Sequence, residues 1–269
     1  MVRCSPSHLL AGVALCLALA AAVALALPAL GQGDANAPEL RPDLVQRVPS
    51  GLVTRGAGGR YELGFNSAVE NHGRGALRVY GRRGAGANDM VAEQVVRRAD
   101  GSLLRVPAVG TIRYTRTKGH HHWHLLRFDR YELRRAFDHT LVRPDRKTGF
   151  CLGDRYDSGR SFRAKPSQAV FNTNCRLYAP GASSVDMAIS VGYGDDYRAY
   201  LEGQSFDVSG LPAGQYELVN RVNAGRRLRE RHYWNNAASV RLRLSWPGGE
   251  NARPRVRVLE RCSGPRCAP

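Results

Sequence analysis

Thr111-Ile112-Arg113-Tyr114-Thr115-Arg116-Thr117-Lys118-Gly119-His120-His121-His122-Trp123-His124-Leu125-Leu126-Arg127-Phe128-Asp129-Arg130-Tyr131-Glu132-Leu133 is the stretch from which the rest of the chain can be read. Its first seven residues alternate β-branched or aromatic side chains with arginine, the pattern of a strand. Its last nine are rich in apolar and aromatic residues and also read as a strand. Between them lie four of the eight histidines of the chain, in five consecutive positions. In an extended backbone successive side chains point to opposite faces. His120, His122 and His124 then share one face, and His121 and Trp123 the other. Three imidazoles spaced two apart can converge on one metal ion, and imidazole suits copper, zinc, iron and nickel. The plain alternative is a solvated histidine loop that takes up metal adventitiously.

Outward from this stretch the chain continues as short strands with turns between them. Tyr61–Val69 and Ala76–Tyr80 flank Asn71-His72-Gly73-Arg74-Gly75 and read as a hairpin. Val91–Arg97 and Leu103–Val106 flank Asp100-Gly101, a second hairpin. Val185–Val191 reads as a strand or a short helix. Ser205 to Val222 reads as strand, tight turn, strand, and Ala238–Leu244 as a last alternating strand. The stretch between Cys151 and Cys175 is irregular and polar. No repeat and no long amphipathic helix is present. The expectation is an all-β, β-sandwich-like single domain with long irregular loops.

The ends differ from this body. Arg3 precedes an uncharged apolar run from Leu9 to Leu30, and Ala29-Leu30-Gly31 offers small residues for cleavage. Residues 1–31 read as a signal peptide, with a retained N-terminal anchor as the alternative. Residues 32–39 read as a linker, 40–250 as the domain, and 251–269 as a C-terminal tail with a short disulfide loop. Outside the leader four cysteines remain, and export favours their oxidation. Four cysteines allow three pairings. Cys151–Cys175 and Cys262–Cys267 are favoured because each closes a short loop.

The formal charge is +17, and loss of the leader removes only Arg3. Such a surplus favours acidic polymers or surfaces. Export and the absence of a basic-aromatic strand motif disfavour nucleic acid, and no membrane partner is expected beyond the leader. Among 40 Lys and Arg residues only Lys118, Lys147 and Lys165 are lysines. In so arginine-rich a chain, each lysine raises the question of what arginine could not do there. A lysine amine can be deprotonated by its surroundings and attack carbon, whereas guanidinium stays charged.

Taken together, several landmarks resemble the lysyl oxidase family of secreted copper amine oxidases. His120-His121-His122-Trp123-His124 is similar to the family's His-x-His-aromatic-His copper motif. Lys147-Thr148-Gly149-Phe150-Cys151-Leu152 is similar to the segment whose lysine enters the cofactor. Asp195-Asp196-Tyr197 falls where the family has its cofactor tyrosine, in a register set by Gln204 to Tyr216. Tyr233-Trp234-Asn235-Asn236 resembles a Tyr-x-Asn-Asn near the family's end, and Pro42-Asp43-Leu44-Val45 resembles its beginning. The chain departs from the animal enzymes in having fewer cysteines and in carrying Arg146 where they have histidine.

The resemblance implies copper on His120, His122 and His124. It also implies a lysine tyrosylquinone made from Lys147 and Tyr197, which would be both cofactor and catalytic residues. The implied substrate is a primary amine, which includes the side chain of lysine in extracellular proteins. The implied products are an aldehyde, hydrogen peroxide and ammonia. The general base is not identified by the sequence. Two other readings remain open here: a different three-histidine enzyme holding zinc or iron, and a non-catalytic exported β-sandwich that binds acidic polymers.

Overall fold

The computed structural model describes residues 34–117, 120–145 and 149–268, which belong to one unit, Gly33–Pro269. The expected leader, residues 1–31, lies outside the described residues. In chain order the strands are β1 (Leu44–Gln46), β2 (Ser50–Ala57), β3 (Arg60–Asn71), β4 (Leu77–Arg82), β5 (Met90–Arg97) and β6 (Leu103–Thr117). Then follow β7 (His120–Leu126), β8 (Asp129–Arg135), β9 (Leu141–Pro144), β10 (Gly149–Phe150), β11 (Tyr156–Asp157) and β12 (Ser184–Ile189). The last five are β13 (Tyr193–Tyr197), β14 (Ser205–Asp207), β15 (Gly214–Val222), β16 (Ala237–Ser245) and β17 (Arg255–Cys262). Among the described residues there is no helix. The all-β, sandwich-like expectation holds, and of Val185–Val191 the residues up to Ile189 resolve as strand.

Three antiparallel sheets enclose the core. One runs β1-β3-β13-β11, with β2 and β14 also on β3. The second, β10-β7-β6-β5-β4-β12, contains the histidine strand. The third is β17-β16-β15-β8-β9. Alternation along β3 sends Tyr61, Leu63 and Phe65 inward, where Phe65 stacks on Phe206 at 5.3 Å and meets Tyr131 edge-on at 5.0 Å. Burying such rings supplies the hydrophobic drive, and edge contacts between them orient the packing.

The hairpin expected from Tyr61–Val69 and Ala76–Tyr80 does not form, because the two strands enter different sheets. Both sides of β3 are taken at Glu70, by Val45 of β1 and by Gly194 of β13, which leaves no edge for β4. The turn between them is a crossing from sheet to sheet. The buried Asn71 side chain accepts from the N–H groups of Asp43 and Gly73 and donates to the carbonyls of Gly75 and Ile189. The second expected hairpin forms, β5 pairing with β6. Both disulfides join the expected partners, Cys151–Cys175 and Cys262–Cys267. Within residues 251–269, read from the sequence as a tail, the chain forms β17 and pairs it with β16.

Two of the sequence landmarks meet each other. Asn235 Nδ2 donates to Asp43 Oδ1 at 2.9 Å, and His232 Nδ1 lies 2.8 Å from Asp43 Oδ2. Glu230 accepts from the Leu44 N–H and from the side chains of Asn223 and Asn236. Asp43 and Leu44 near the beginning of the domain are thus tied to the segment of residues 230–236 by polar side chains.

Candidate functional site

The histidine strand is set by its neighbour. β6 and β7 pair from Ile112↔Leu125 to Thr117↔His120, so the stretch quoted at the outset is a hairpin arm. Trp123 is fully buried and its indole N–H donates to the Ala179 carbonyl. That anchor forces the odd-numbered face inward and turns His120, His122 and His124 together onto the other. Their ring centroids stand 5.5, 5.3 and 4.5 Å apart for the pairs 120–122, 120–124 and 122–124. His121 instead packs beside Tyr178, ring to ring at 5.5 Å. His124 is buried, and the Thr115 hydroxyl lies 2.9 Å from its Nδ1. A partner on one ring nitrogen fixes the tautomer and leaves Nε2 for another ligand.

Lys147 lies outside the described residues, but the residues around it are anchored. Upstream, Asp145 accepts the Tyr131 N–H at 2.8 Å. Downstream, β10 pairs with β7, Gly149 opposite Leu126 and Phe150 opposite Leu125. Gly149 lies so close that an added Cβ would stand 2.7 Å from the Cβ of His124. Glycine is the residue that permits this approach.

Tyr197 ends β13, opposite Ser67 of β3. Its ring meets Phe150 edge-on at 4.8 Å. Its hydroxyl accepts the Cys151 N–H at 2.9 Å and donates to the Cys151 carbonyl at 3.3 Å. Burial, reinforced by the nearby Asp195 carboxylate, holds the phenol well above its ordinary range. Cys151 is bonded to Cys175, whose carbonyl accepts the Trp123 N–H at 3.0 Å. Farther along, Glu202 accepts from the Thr117 hydroxyl, and Thr117 is the register partner of His120. The histidine strand, the downstream flank of Lys147 and Tyr197 therefore form one connected region.

The sequence reading missed a polar group beside this region. Ser67 Oγ donates to Asp129 Oδ2 at 2.9 Å, and Gln46 Nε2 reaches Ser67 Oγ at 3.3 Å. Asp129, Tyr131, Gln204 and Asn220 are all buried. Burial pushes the Asp129 carboxyl up to about 7, against hydrogen bonds from Ser67 and the Arg130 N–H, and Asp145 adds to the rise. Asp129 also lies on the wall of a cavity of about 500 Å³. Asp129 is one of four charged residues between Leu125 and Leu133, so no signal in the sequence singled it out.

Another cluster, Glu260 with Cys262 and Cys267, brings ligand-type atoms together. Its sulfurs are joined in a disulfide, so they offer no thiolate to a metal.

A family model described as lysyl oxidase matches residues 94–248. No curated protein matches the chain. The matched span runs from within β5 to just past β16 and takes in the three clustered histidines, Lys147 and Tyr197. The match covers more than half of the chain, and from it follows the conclusion that the chain belongs to the lysyl oxidase family, whose chemistry is amine oxidation.

Proposed function

We propose that the protein is an exported, copper- and quinone-dependent amine oxidase that converts primary amines to aldehydes, releasing hydrogen peroxide and ammonia. Copper is held by His120, His122 and His124, and the lysine tyrosylquinone arises from Lys147 and Tyr197. The observation that carries this reading is the packing of three imidazoles at 4.5 to 5.5 Å on one face of β7, against the glycine that follows Lys147 by two positions. The donor set fits copper: three imidazoles, one of them already oriented through Nδ1 by Thr115. Bound copper supplies the redox chemistry by which dioxygen converts a tyrosine ring to a quinone.

The protein's own residues supply the rest. The Cys151 N–H holds the Tyr197 hydroxyl, and the Cys151 carbonyl takes its proton as a hydrogen bond. Lysine can add to an electrophilic ring where arginine cannot, which accounts for Lys147 in an arginine-rich chain. Export supports the two disulfides and delivers the enzyme to dioxygen and to extracellular amines, protein lysine among them. The surplus of positive charge suits an acidic polymer or surface as a partner.

The test is maturation with copper and oxygen, followed by quinone redox staining and peptide mapping. A cross-linked Lys147–Tyr197 peptide is expected, with phenylhydrazine-type reagents titrating the quinone and stopping peroxide release. Lys147→Arg should retain copper and lose the stain. Full amine oxidase activity in Lys147→Arg would overturn the reading, and a site loaded only by zinc or iron would replace it with another metalloenzyme.

A further inference from the structure

We propose that Asp129 is the proton acceptor in amine oxidation, and that the buried polar chamber around it receives the primary amine. The inference rests on the amine oxidase reading above and deepens it by naming the group that the sequence left unidentified.

The chamber is built from three directions. β3 brings Ser67, whose register partner is Tyr197, so the two side chains stand on the same side of their sheet. Ser67 Oγ donates to Asp129 Oδ2, which holds the carboxylate against the register partner of the tyrosine. β8 brings Tyr131, and its register partner Asn220 comes from β15. Gln204 approaches just before β14, and its amide and the Ser67 hydroxyl both influence the Tyr131 phenol.

These residues are buried; the Tyr131 hydroxyl lies among Asp129, Ser67 and Gln204, while both amide atoms of Asn220, the register partner of Tyr131, have no hydrogen-bond partner. Native proteins keep few such groups, because an unpartnered buried donor or acceptor is costly. An unpartnered amide beside a buried polar group that includes one carboxylate marks a space prepared for a polar guest.

Access comes from the other side. Asp129 shares the wall of the cavity with Val109, Leu125, Leu126, Phe128 and Leu228. An alkyl chain fits such a lining, with its amine end toward the carboxylate. Asp145, Arg127, Arg130 and Arg227 also face this cavity. Tyr131 and Tyr197 stand on the chamber side, and the buried Asp195 carboxylate and the Arg155 guanidinium act on Tyr197. Phe150 meets Phe128 of the cavity wall, Tyr131 and Tyr197 edge-on, which links the cavity wall to the tyrosine.

In the step assigned to Asp129, the C–H bond next to the substrate nitrogen breaks. Asp129 would take the proton, and the electron pair would pass through the substrate nitrogen to the quinone with which the amine condenses by losing water; water added back would release the aldehyde, and dioxygen would reoxidise the cofactor with release of peroxide and ammonia. A carboxyl held up to about 7 is a stronger base than an exposed aspartate and is poised for this exchange.

The experiment has two arms. In the copper-matured enzyme, Asp129→Asn should keep a full complement of reagent-titratable quinone while kcat falls at least ~100-fold, in the range of lost acid–base catalysis. Ser67→Ala removes a hydrogen bond to the carboxylate and should move the acid limb of the pH–kcat profile to higher pH. In the full-length Lys147→Arg chain, a carbon-13 carboxyl resonance that disappears on adding Asp129→Asn should shift with n-butylamine and not with n-butanol. An Asp129→Asn enzyme with kcat within about twofold of the unsubstituted chain would overturn the proton role. A resonance indifferent to n-butylamine would overturn the amine chamber. A chain that forms no quinone at all refutes the amine oxidase reading instead, and the resonance still decides whether amine reaches Asp129.

Discussion

Asp129 carries a stability consequence separate from any catalysis. Its folded carboxyl titrates near 7, whereas an unfolded aspartate titrates near 4. Between those values the unfolded chain has released the proton and the folded chain still holds it. Folding stability contributed by this group is therefore complete at low pH, falls as pH rises through the window and levels off above about 7. Asp129→Asn should raise the melting temperature at pH 8 and leave it nearly unchanged at pH 4. A thermal melt series over pH checks this. Among the histidines, His122→Ala should abolish tight copper binding, while His121→Ala, whose ring rests on Tyr178, should leave about one copper per chain. Equal loss from both, measured by metal analysis, would contradict the facing of the strand. Gly149→Ala forces a Cβ to within 2.7 Å of the His124 Cβ and 3.0 Å of the Leu125 carbonyl. Overpacking of this kind costs about 1–3 kcal/mol. A matching loss in denaturant midpoint, with weaker copper retention, is expected.

At the scale of elements, the disulfide between Cys151 and Cys175 joins two things the chain keeps far apart in sequence. Cys151 holds the Tyr197 hydroxyl, and Cys175 holds the backbone of the histidine strand at Trp123. Cys175, Arg176 and Tyr178 adopt left-handed backbone angles, φ 50, 58 and 56°. For residues other than glycine such angles are uncommon and persist where the surroundings impose them. Replacing both cysteines by serine should cost about 3 kcal/mol from loop closure, and should lower the yield of titratable quinone more than the copper content.

The histidine strand, both disulfides and the β5–β6 hairpin were legible because each is a local signal: alternation, a short closed loop, a turn dipeptide. The separation of β3 from β4 was not, since it depends on Val45 and Gly194 arriving from distant parts of the chain to occupy β3 first. Asp129 was hidden for a similar reason. Nothing in Phe128-Asp129-Arg130 announces that Ser67 and a buried pair of amides will surround it. Gln204 was visible only as a marker of register, and its burial belongs to the fold.

For the molecule as a whole, the arginine surplus is spread over the sheets rather than gathered on one of them, and many arginines pair with single carboxylates, as Arg78 does with Asp186 and Arg113 with Asp89. Exposed pairs of this kind add little to stability, but the uncompensated remainder sets a long-range positive field. The protein should be retained on immobilised polyglutamate at low salt and released as salt rises. Screening lengths shrink from about 10 Å at 0.1 M to about 3 Å at 1 M. Retention that persists at 1 M salt would point to something other than charge.

The Cys151–Cys175 bond also has a bearing on when the enzyme wakes. A cytoplasm rich in thiols keeps such cysteines reduced. The amide that holds the tyrosine hydroxyl and the carbonyl that braces the strand of imidazoles then lose the covalent tie between them. On the proposed function, a chain retained inside the cell is expected to stay dormant, and one that crosses into an oxidising space acquires its cofactor there. The bond would serve as a safety catch, so that a generator of peroxide is not armed among the molecules that made it.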